Sequence, residues 1–351
     1  MRVAILAHER FPDRAKTAVG VLRYGDREVV AVLDRTLAGD RVSDHVPDVQ
    51  DAPIVASIDD IDDIDDIDDI DDIDALLVGI APIGGDFDET WRPDVRGALE
   101  RGCDVVAGLH HFLAEDDEFA RLADEHGAEL RDLRRPPEDL TVSDGTASDV
   151  DADVVLTVGT DCSVGKMTTT FELVERARER GIDAAAVPTG QTGILVADYG
   201  IAVDRVVADF AAGVVERMVE ERAADHDLLV VEGQGALCHP AYSGVTTSIL
   251  HGAMPDALVL CHAAGREAVH GYEHVAVPSP GEYADVYESV ADPVSPTRIA
   301  GGALNTRRVD SDERARERVE EYGAAIDAPA TDSVRFGVDP VLDAVLESVA
   351  G

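Results

Sequence analysis

Residues 154–176 constrain this chain more than any other stretch. Val154, Val155, Leu156, Thr157 and Val158 form an apolar, largely β-branched run. Gly159-Thr160-Asp161-Cys162-Ser163-Val164-Gly165-Lys166 follows, and then Met167-Thr168-Thr169-Thr170-Phe171-Glu172-Leu173-Val174 with amphipathic helical spacing. A strand, a glycine-bounded turn and a helix in that order form the setting of a phosphate-binding loop. A helix N-terminus offers unpaired N–H groups and positive dipole density. The glycine turn lets the backbone wrap an anion, and a flexible ammonium reaches a terminal phosphate oxygen. Lys166 is that ammonium. It is one of only two lysines in the chain, the other being Lys16; every other basic residue is arginine.

Gly159, Thr160, Asp161, Ser163, Gly165, Lys166, Met167, Thr168 and Thr169 are therefore the candidate coenzyme contacts. Thr168 or Thr169 would offer a hydroxyl to Mg²⁺ or to a phosphate. Five residues separate Gly159 from Gly165, one more than usual, and Met167 stands where Ser or Thr usually follows the lysine. This wording resembles the dethiobiotin synthetase-like branch of P-loop proteins.

The charge narrows the partners. Acidic residues number 72 against 30 basic ones, a formal charge of −42. That opposes binding to nucleic acid and to anionic membrane surfaces, because phosphate backbones and acidic lipids repel such a chain. Acidity spread along the chain, with lysine nearly absent, fits a halophilic protein of a salt-rich cytoplasm. No apolar stretch reaches the length of a bilayer span. The start is too short and too soon charged for a signal peptide. Cys103, Cys162, Cys238 and Cys261 form no C-x-x-C pair and are expected as free thiols of a reducing compartment.

Two α/β domains are expected. Strand candidates at 3–7, 29–33, 76–80 and 105–107 alternate with helical stretches, giving a small parallel α/β first domain over 1–148. Within it, residues 58–74 repeat Ile-Asp-Asp and contribute 11 aspartates. Isoleucine at period three drifts around an α-helix, and the like charges oppose one, so a low-complexity insert is expected. Residues 134–149, rich in Pro, Gly, Ser and Asp, look like a linker. The second domain, 151–351, is expected as a P-loop NTPase-like parallel sheet with strands at 154–158, 184–188, 228–232, 257–261 and 299–304.

Polar motifs stand at the carboxyl ends of those strands, where open parallel sheets gather ligands. Gln191, in Thr189-Gly190-Gln191-Thr192-Gly193, is a further candidate coenzyme contact. Glu232, ending an apolar strand, is the metal candidate if Mg²⁺ is used, together with Thr168. Gln234 and Tyr242 are substrate-binding candidates. His239 is the candidate general base. The likeness to dethiobiotin synthetase-like proteins, in which an Asn in a similar place reads adenine, makes Asn305 at the end of the last strand the candidate for that role. Lys16, Arg23 and Arg266 are cations for an acidic substrate.

Taken together, residues 16–24, 79–85, 108–113, 159–169, 189–193, 209–210, 232–242, 251–256 and 304–306 resemble the D-glutamate N-acetyltransferase family. The likeness covers nearly the whole chain and includes both lysines; the Ile-Asp-Asp repeat departs from it. The resemblance implies a Rossmann-like domain, a P-loop domain, and transfer of acetyl from acetyl-CoA to D-glutamate or a related acidic amino acid. It thus places the chain in D-amino acid metabolism, with a small-molecule substrate, and a homo-oligomer is expected. Lys166 or a loop N–H would stabilise the oxyanion, with His239 as base. The alternatives are an ATP-dependent kinase or ligase using Mg²⁺ to activate a carboxylate, and a nucleotide-binding regulator without turnover.

Overall fold

The structure is a computed structural model that describes residues 1–63, 73–80 and 85–350. Its chain divides into two compact units, Met1–Pro136 with Gln191–Ala202, and Pro137–Gly190 with Val203–Gly351.

The first unit is built on six parallel strands: β1 (Arg2–Leu6), β2 (Glu28–Leu33), β3 (Ile54–Val55), β4 (Ala75–Val78), β5 (Asp104–Ala107) and β6 (Leu130–Asp132). They lie in the order β3-β2-β1-β4-β5-β6. Helices α1 (Lys16–Tyr24), α2 (Arg92–Glu100) and α3 (Asp117–His126) lie among these strands in the chain. The apolar strands β1 and β4 are buried nearly throughout, as expected where both faces of a parallel sheet are covered. The first sheet is the parallel α/β sheet that the alternation predicts and the Rossmann-like one that the resemblance implies.

The Ile-Asp-Asp repeat corrects one expectation. Residues Ile58–Asp63 form a 3₁₀ helix, and Ile58 and Ile61 are 2% and 0% exposed. A 3₁₀ helix has three residues per turn, so a period-three isoleucine stays on one face instead of drifting. Asp59 and Asp62 point outward and meet Arg101 at 2.7 and 3.6 Å. Residues 64–72 of the repeat and 81–84 of the glycine turn after β4 lie outside the described residues.

The second unit holds the parallel strands β7 (Asp153–Gly159), β8 (Ala184–Val187), β9 (Leu228–Glu232) and β10 (Ala257–Ala263), a small antiparallel hairpin of β11 (Ala268–Val269) and β12 (Tyr272–Ala276), and β13 (Arg298–Asn305) and β14 (Ala330–Thr331). The main sheet runs β14-β13-β10-β7-β9-β8. Its connecting helices are α4 (Lys166–Glu179), α6 (Ala208–Ala223), α7 (Ser243–Ala253), α8 (Pro280–Ala291), α9 (Asp312–Ile326) and α10 (Asp339–Val349). Helix α5 (Gln191–Ala197) comes between β8 and α6 in the chain, yet it packs with the first unit. There Thr192 bonds Thr17 of α1 at 2.8 Å, and the carbonyl of Leu195 accepts from the Arg27 guanidinium. The expected boundaries, 1–148 and 151–351, put this segment in the second domain.

The expected linker is tied down along part of its length. Glu216 of α6, 5% exposed, accepts hydrogen bonds from Ser143 Oγ and from the N–H groups of Asp144, Gly145 and Thr146 at 2.6–2.8 Å. A buried carboxylate with four donors is well compensated, so these residues are an anchored turn.

Candidate functional site

The site grows from β7, a central strand of the second sheet. Its neighbours β9 and β10 run parallel to it, so the carboxyl ends of all three open on the same edge. The loop after β7 is pinned on both sides. Val164, 1% exposed, packs against Cys261 and Ala303, which carries the loop into the core at β10 and β13. The Tyr287 hydroxyl donates to the Gly159 carbonyl at 2.8 Å and accepts from the Gly159 N–H at 3.3 Å. Gly165 precedes α4 with φ 117°, a conformation that favours glycine.

Lys166 lies folded across this loop. It is 8% exposed, and its Nζ donates to the carbonyls of Asp161 at 2.9 Å and Gly235 at 2.8 Å. Gly159 makes that path possible, because a Cβ there would stand 2.9 Å from Nζ. The ammonium is thus held across the loop by the Asp161 carbonyl within it and the Gly235 carbonyl after β9.

Asp161 organises the other side and is fully buried. Its Oδ1 accepts from the Cys162 N–H at 2.7 Å, and its Oδ2 from Arg266 at 2.7 Å and the His270 N–H at 2.8 Å. Arg266 is therefore paired with the loop itself, which corrects its expected role as a cation for substrate. Thr160, also fully buried, lies 2.7 Å from His262 Nδ1 at the end of β10. Burial pushes the His262 imidazole down to about 4, with Arg266 adding to the effect and Asp161 opposing it. The β11–β12 hairpin brings His270 and Tyr272 to this place.

His239 follows β9 and is 2% exposed. It sits between the rings of Tyr242 and Tyr272, with centroids 4.5 and 5.2 Å away. Its Nδ1 accepts a hydrogen bond from the Ala241 N–H at 3.1 Å. In the neutral ring that places the proton on Nε2, so the free ring nitrogen is a donor and not the proton acceptor a general base needs. Burial lowers its pKa further, with Asp161 opposing and Lys166 and His270 assisting. The expectation of a base at His239 is corrected on this ground.

Ligating atoms of Asp161, Cys162 and His239 lie within 4.8 Å of one another, the spacing of a cation cluster. Its electrostatics oppose one. Both Asp161 oxygens already accept hydrogen bonds, Arg266 is paired there, and the His239 lone pair is turned to Ala241. All four cysteines are free thiols, with Cys162 and Cys238 half-buried.

The other expected residues fall as follows. Glu232 ends β9, buried, and its carbonyl accepts from the Thr189 hydroxyl at 2.6 Å. The Gln234 amide donates to the Thr189 carbonyl and hydroxyl, so it closes the strand ends together and is not turned to a substrate. Met167 is 8% exposed, and the Thr169 hydroxyl bonds that of Ser333 at 3.0 Å. Thr168 is half-buried and Ser163 exposed, and neither side chain makes a hydrogen bond among the described residues. Tyr242 is 48% exposed beside His239. Asn305 ends β13, its Oδ1 accepting from the Arg307 N–H at 3.1 Å.

Gln191, Lys16 and Arg23 belong to the first unit. Gln191 opens α5, and its side chain packs where a Cβ on Gly108 would stand. Lys16 opens α1, exposed; Arg23, in its last turn, has a buried Nε with no hydrogen-bond partner among the described residues.

His262, His270, Tyr272 and Tyr287 are not among the residues that the sequence singles out. The hairpin carries a faint signal, a His270-Gly271 turn between two short apolar runs with Gly271 at φ 76°. Tyr287 carries none beyond its place in an amphipathic helix.

Comparison with known proteins agrees with this geometry. Residues 141–342 match the family described as a domain of unknown function, DUF1611_C, P-loop domain; residues 35–136 match DUF1611_N, Rossmann-like domain. A protein of Pseudoalteromonas sp. named D-glutamate N-acetyltransferase is 37% identical over 267 residues, 76% of this chain and 79% of that one. One of the same name from Tritonibacter scottomollicae is 38% identical over 272 residues, 77% and 80% of the two chains. The crystal structure of a DUF1611 family protein from Anabaena variabilis superposes with a TM-score of 0.90 at 37% identity, covering 99% of both chains.

Proposed function

We infer a function from the premise that this chain belongs to the DUF1611 family, with its Rossmann-like first domain and P-loop second domain: it is an amino-acid N-acetyltransferase. The finer reading is transfer of acetyl from acetyl-CoA to the amino group of D-glutamate or a related acidic amino acid. The observation that carries it is the 37–38% identity to two proteins of that name over three quarters of the chain.

The loop fits a coenzyme rich in phosphate. Lys166 and the N–H groups at the start of α4 would hold the coenzyme's pyrophosphate. The Asn305 amide NH₂ would donate to the adenine ring, since its Oδ1 already accepts from Arg307. Bound acetyl-CoA would supply the acetyl group as a thioester. The reaction also needs a base for the acceptor's ammonium and a donor for the tetrahedral oxyanion.

An ATP-dependent activity is the second reading, with Glu232 and Thr168 around Mg²⁺. Two observations weigh against it. Met167 supplies no oxygen at the position after Lys166, and the Thr169 hydroxyl is engaged by Ser333. Among the described residues no helix is long and apolar enough to cross a membrane. With a charge of −42, assays belong in high-KCl buffer.

Calorimetric titration with acetyl-CoA and, separately, Mg-ATP tests this on wild type and Lys166→Ala. Acetyl-CoA binding that disappears in the variant, followed by CoA release dependent on D-glutamate, is the expected result. Lys166-dependent binding of Mg-ATP without binding of acetyl-CoA would overturn it.

A further inference from the structure

We infer that His239 is a neutral hydrogen-bond donor to a phosphate oxygen of the coenzyme, acting through Nε2–H, and that the base for the acceptor lies elsewhere. This rests on the reading of the loop as the coenzyme's phosphate site.

Three observations converge. The first is the tautomer. An N–H from Ala241 points at Nδ1 from 3.1 Å, and two protons cannot share that line, so the ring carries its hydrogen on Nε2. The second is the vacant donor. The ring is 2% exposed overall, yet Nε2 makes no hydrogen bond among the described residues and is not one of the buried atoms left without a partner, so its N–H is open to an incoming acceptor. The third is the location. The ring lies within 4.8 Å of ligating atoms on Asp161 and Cys162, beside Lys166, and is braced by Tyr242 and Tyr272.

The chemistry of the neighbours explains a neutral donor. Lys166 and Arg266 already bring two full positive charges to the loop, and the Asp161 carboxylate offsets only one of them. An imidazolium would add a third and would turn Nδ1–H against the Ala241 amide. A neutral imidazole offers an N–H without either cost, as a ring whose Nδ1 accepts from backbone does in other enzymes. Distance within the coenzyme settles what this donor does. The thioester lies at the far end of the pantetheine arm from the pyrophosphate. A group beside the phosphate loop therefore reaches phosphate oxygens and not the reacting carbonyl.

Two measurements test this, the first without activity. Long-range ¹H–¹⁵N spectra of imidazole-labelled protein report the tautomer, and an Nε2–H form near neutral pH is expected, with its resonance moving when CoA is added. The second compares His239→Gln, which keeps an N–H near the Nε2 position, with His239→Asn, whose amide reaches only the Nδ1 position. CoA affinity within about threefold of wild type for the Gln variant and about 10- to 100-fold weaker for the Asn variant is expected, the span of a hydrogen bond to a charged group. An Nδ1–H tautomer, equal affinities in the two variants, or acetyl transfer lost with CoA affinity intact in both would overturn the inference. If wild type binds Mg-ATP and not CoA, the coenzyme reading fails by itself. The tautomer and the order of the two variants, read on ATP, then still decide the role of His239.

Discussion

His262 couples the phosphate loop to acidity. It stands at the end of β10, half-buried, with Nδ1 against the Thr160 hydroxyl and its ring stacked on Tyr322. Burial lowers its pKa from 6.5 to about 4, with Arg266 adding and Asp161 opposing. Between those values the unfolded chain takes up a proton that the folded chain refuses. Stability from this residue is therefore complete above 6.5 and is lost as pH falls toward 4. A shift of about 2.5 units at about 1.4 kcal/mol per unit amounts to about 3 kcal/mol. His262→Asn keeps a polar atom near Thr160 and removes the titration. Urea unfolding of both proteins in high-KCl buffer, from about pH 7.5 to about pH 4, should show wild type losing about 3 kcal/mol more than the variant. The difference between the two cancels every other titrating group that they share. Parallel stability curves, or an NMR titration of His262 centred near its ordinary value, would refute the reasoning.

Two further outcomes follow from packing. Gly233→Ala would place a Cβ 2.0 Å from the Thr157 carbonyl, so β7 and β9 must part at the site; a loss of about 1–3 kcal/mol is expected from such overpacking, and an unchanged thermal midpoint would contradict it. Glu216→Gln replaces one acceptor oxygen of the anchored turn with a donor. Burial pushes this carboxyl up, but the hydrogen bonds from Asp144, Ser143, Thr146 and Gly145 outweigh it and hold the group below the usual range, so the turn is charged and tight at neutral pH. Limited proteolysis should cut residues 137–146 faster in the variant, and equal rates would show that the anchor is not Glu216.

Much of this was written locally in the chain. The phosphate loop is legible because strand, glycines, lysine and helix are contiguous, and local backbone chemistry dictates their order. The long buried strands are legible from β-branched runs. The short edge strands Ile54–Val55, Leu130–Asp132 and Ala330–Thr331 are not, because two or three residues carry no periodicity. The Ile-Asp-Asp repeat does not suit an α-helix, but its period of three matches the 3₁₀ helix seen over Ile58–Asp63. The settings of Arg266, Gln234 and His239 are not legible in the sequence, for a common reason. Each depends on a partner that the fold supplies: Asp161 for the first, Thr189 for the second, and for the third a backbone amide two residues along, whose direction no residue type reveals.

Helix α5 sets a limit on how this protein can be taken apart. The chain leaves the first unit after Pro136, returns at Gln191 and leaves again after Ala202. No single cut yields two self-sufficient pieces. A fragment ending at Pro136 lacks Thr192 and Leu195, the partners of Thr17 and Arg27. One beginning at Pro137 carries Ile194, Leu195 and Val196, buried in the intact protein, with no core of their own to enter. Gene fusion or recombination in this family would then have to move both units together, and a shuffled P-loop half would arrive with a sticky helix attached.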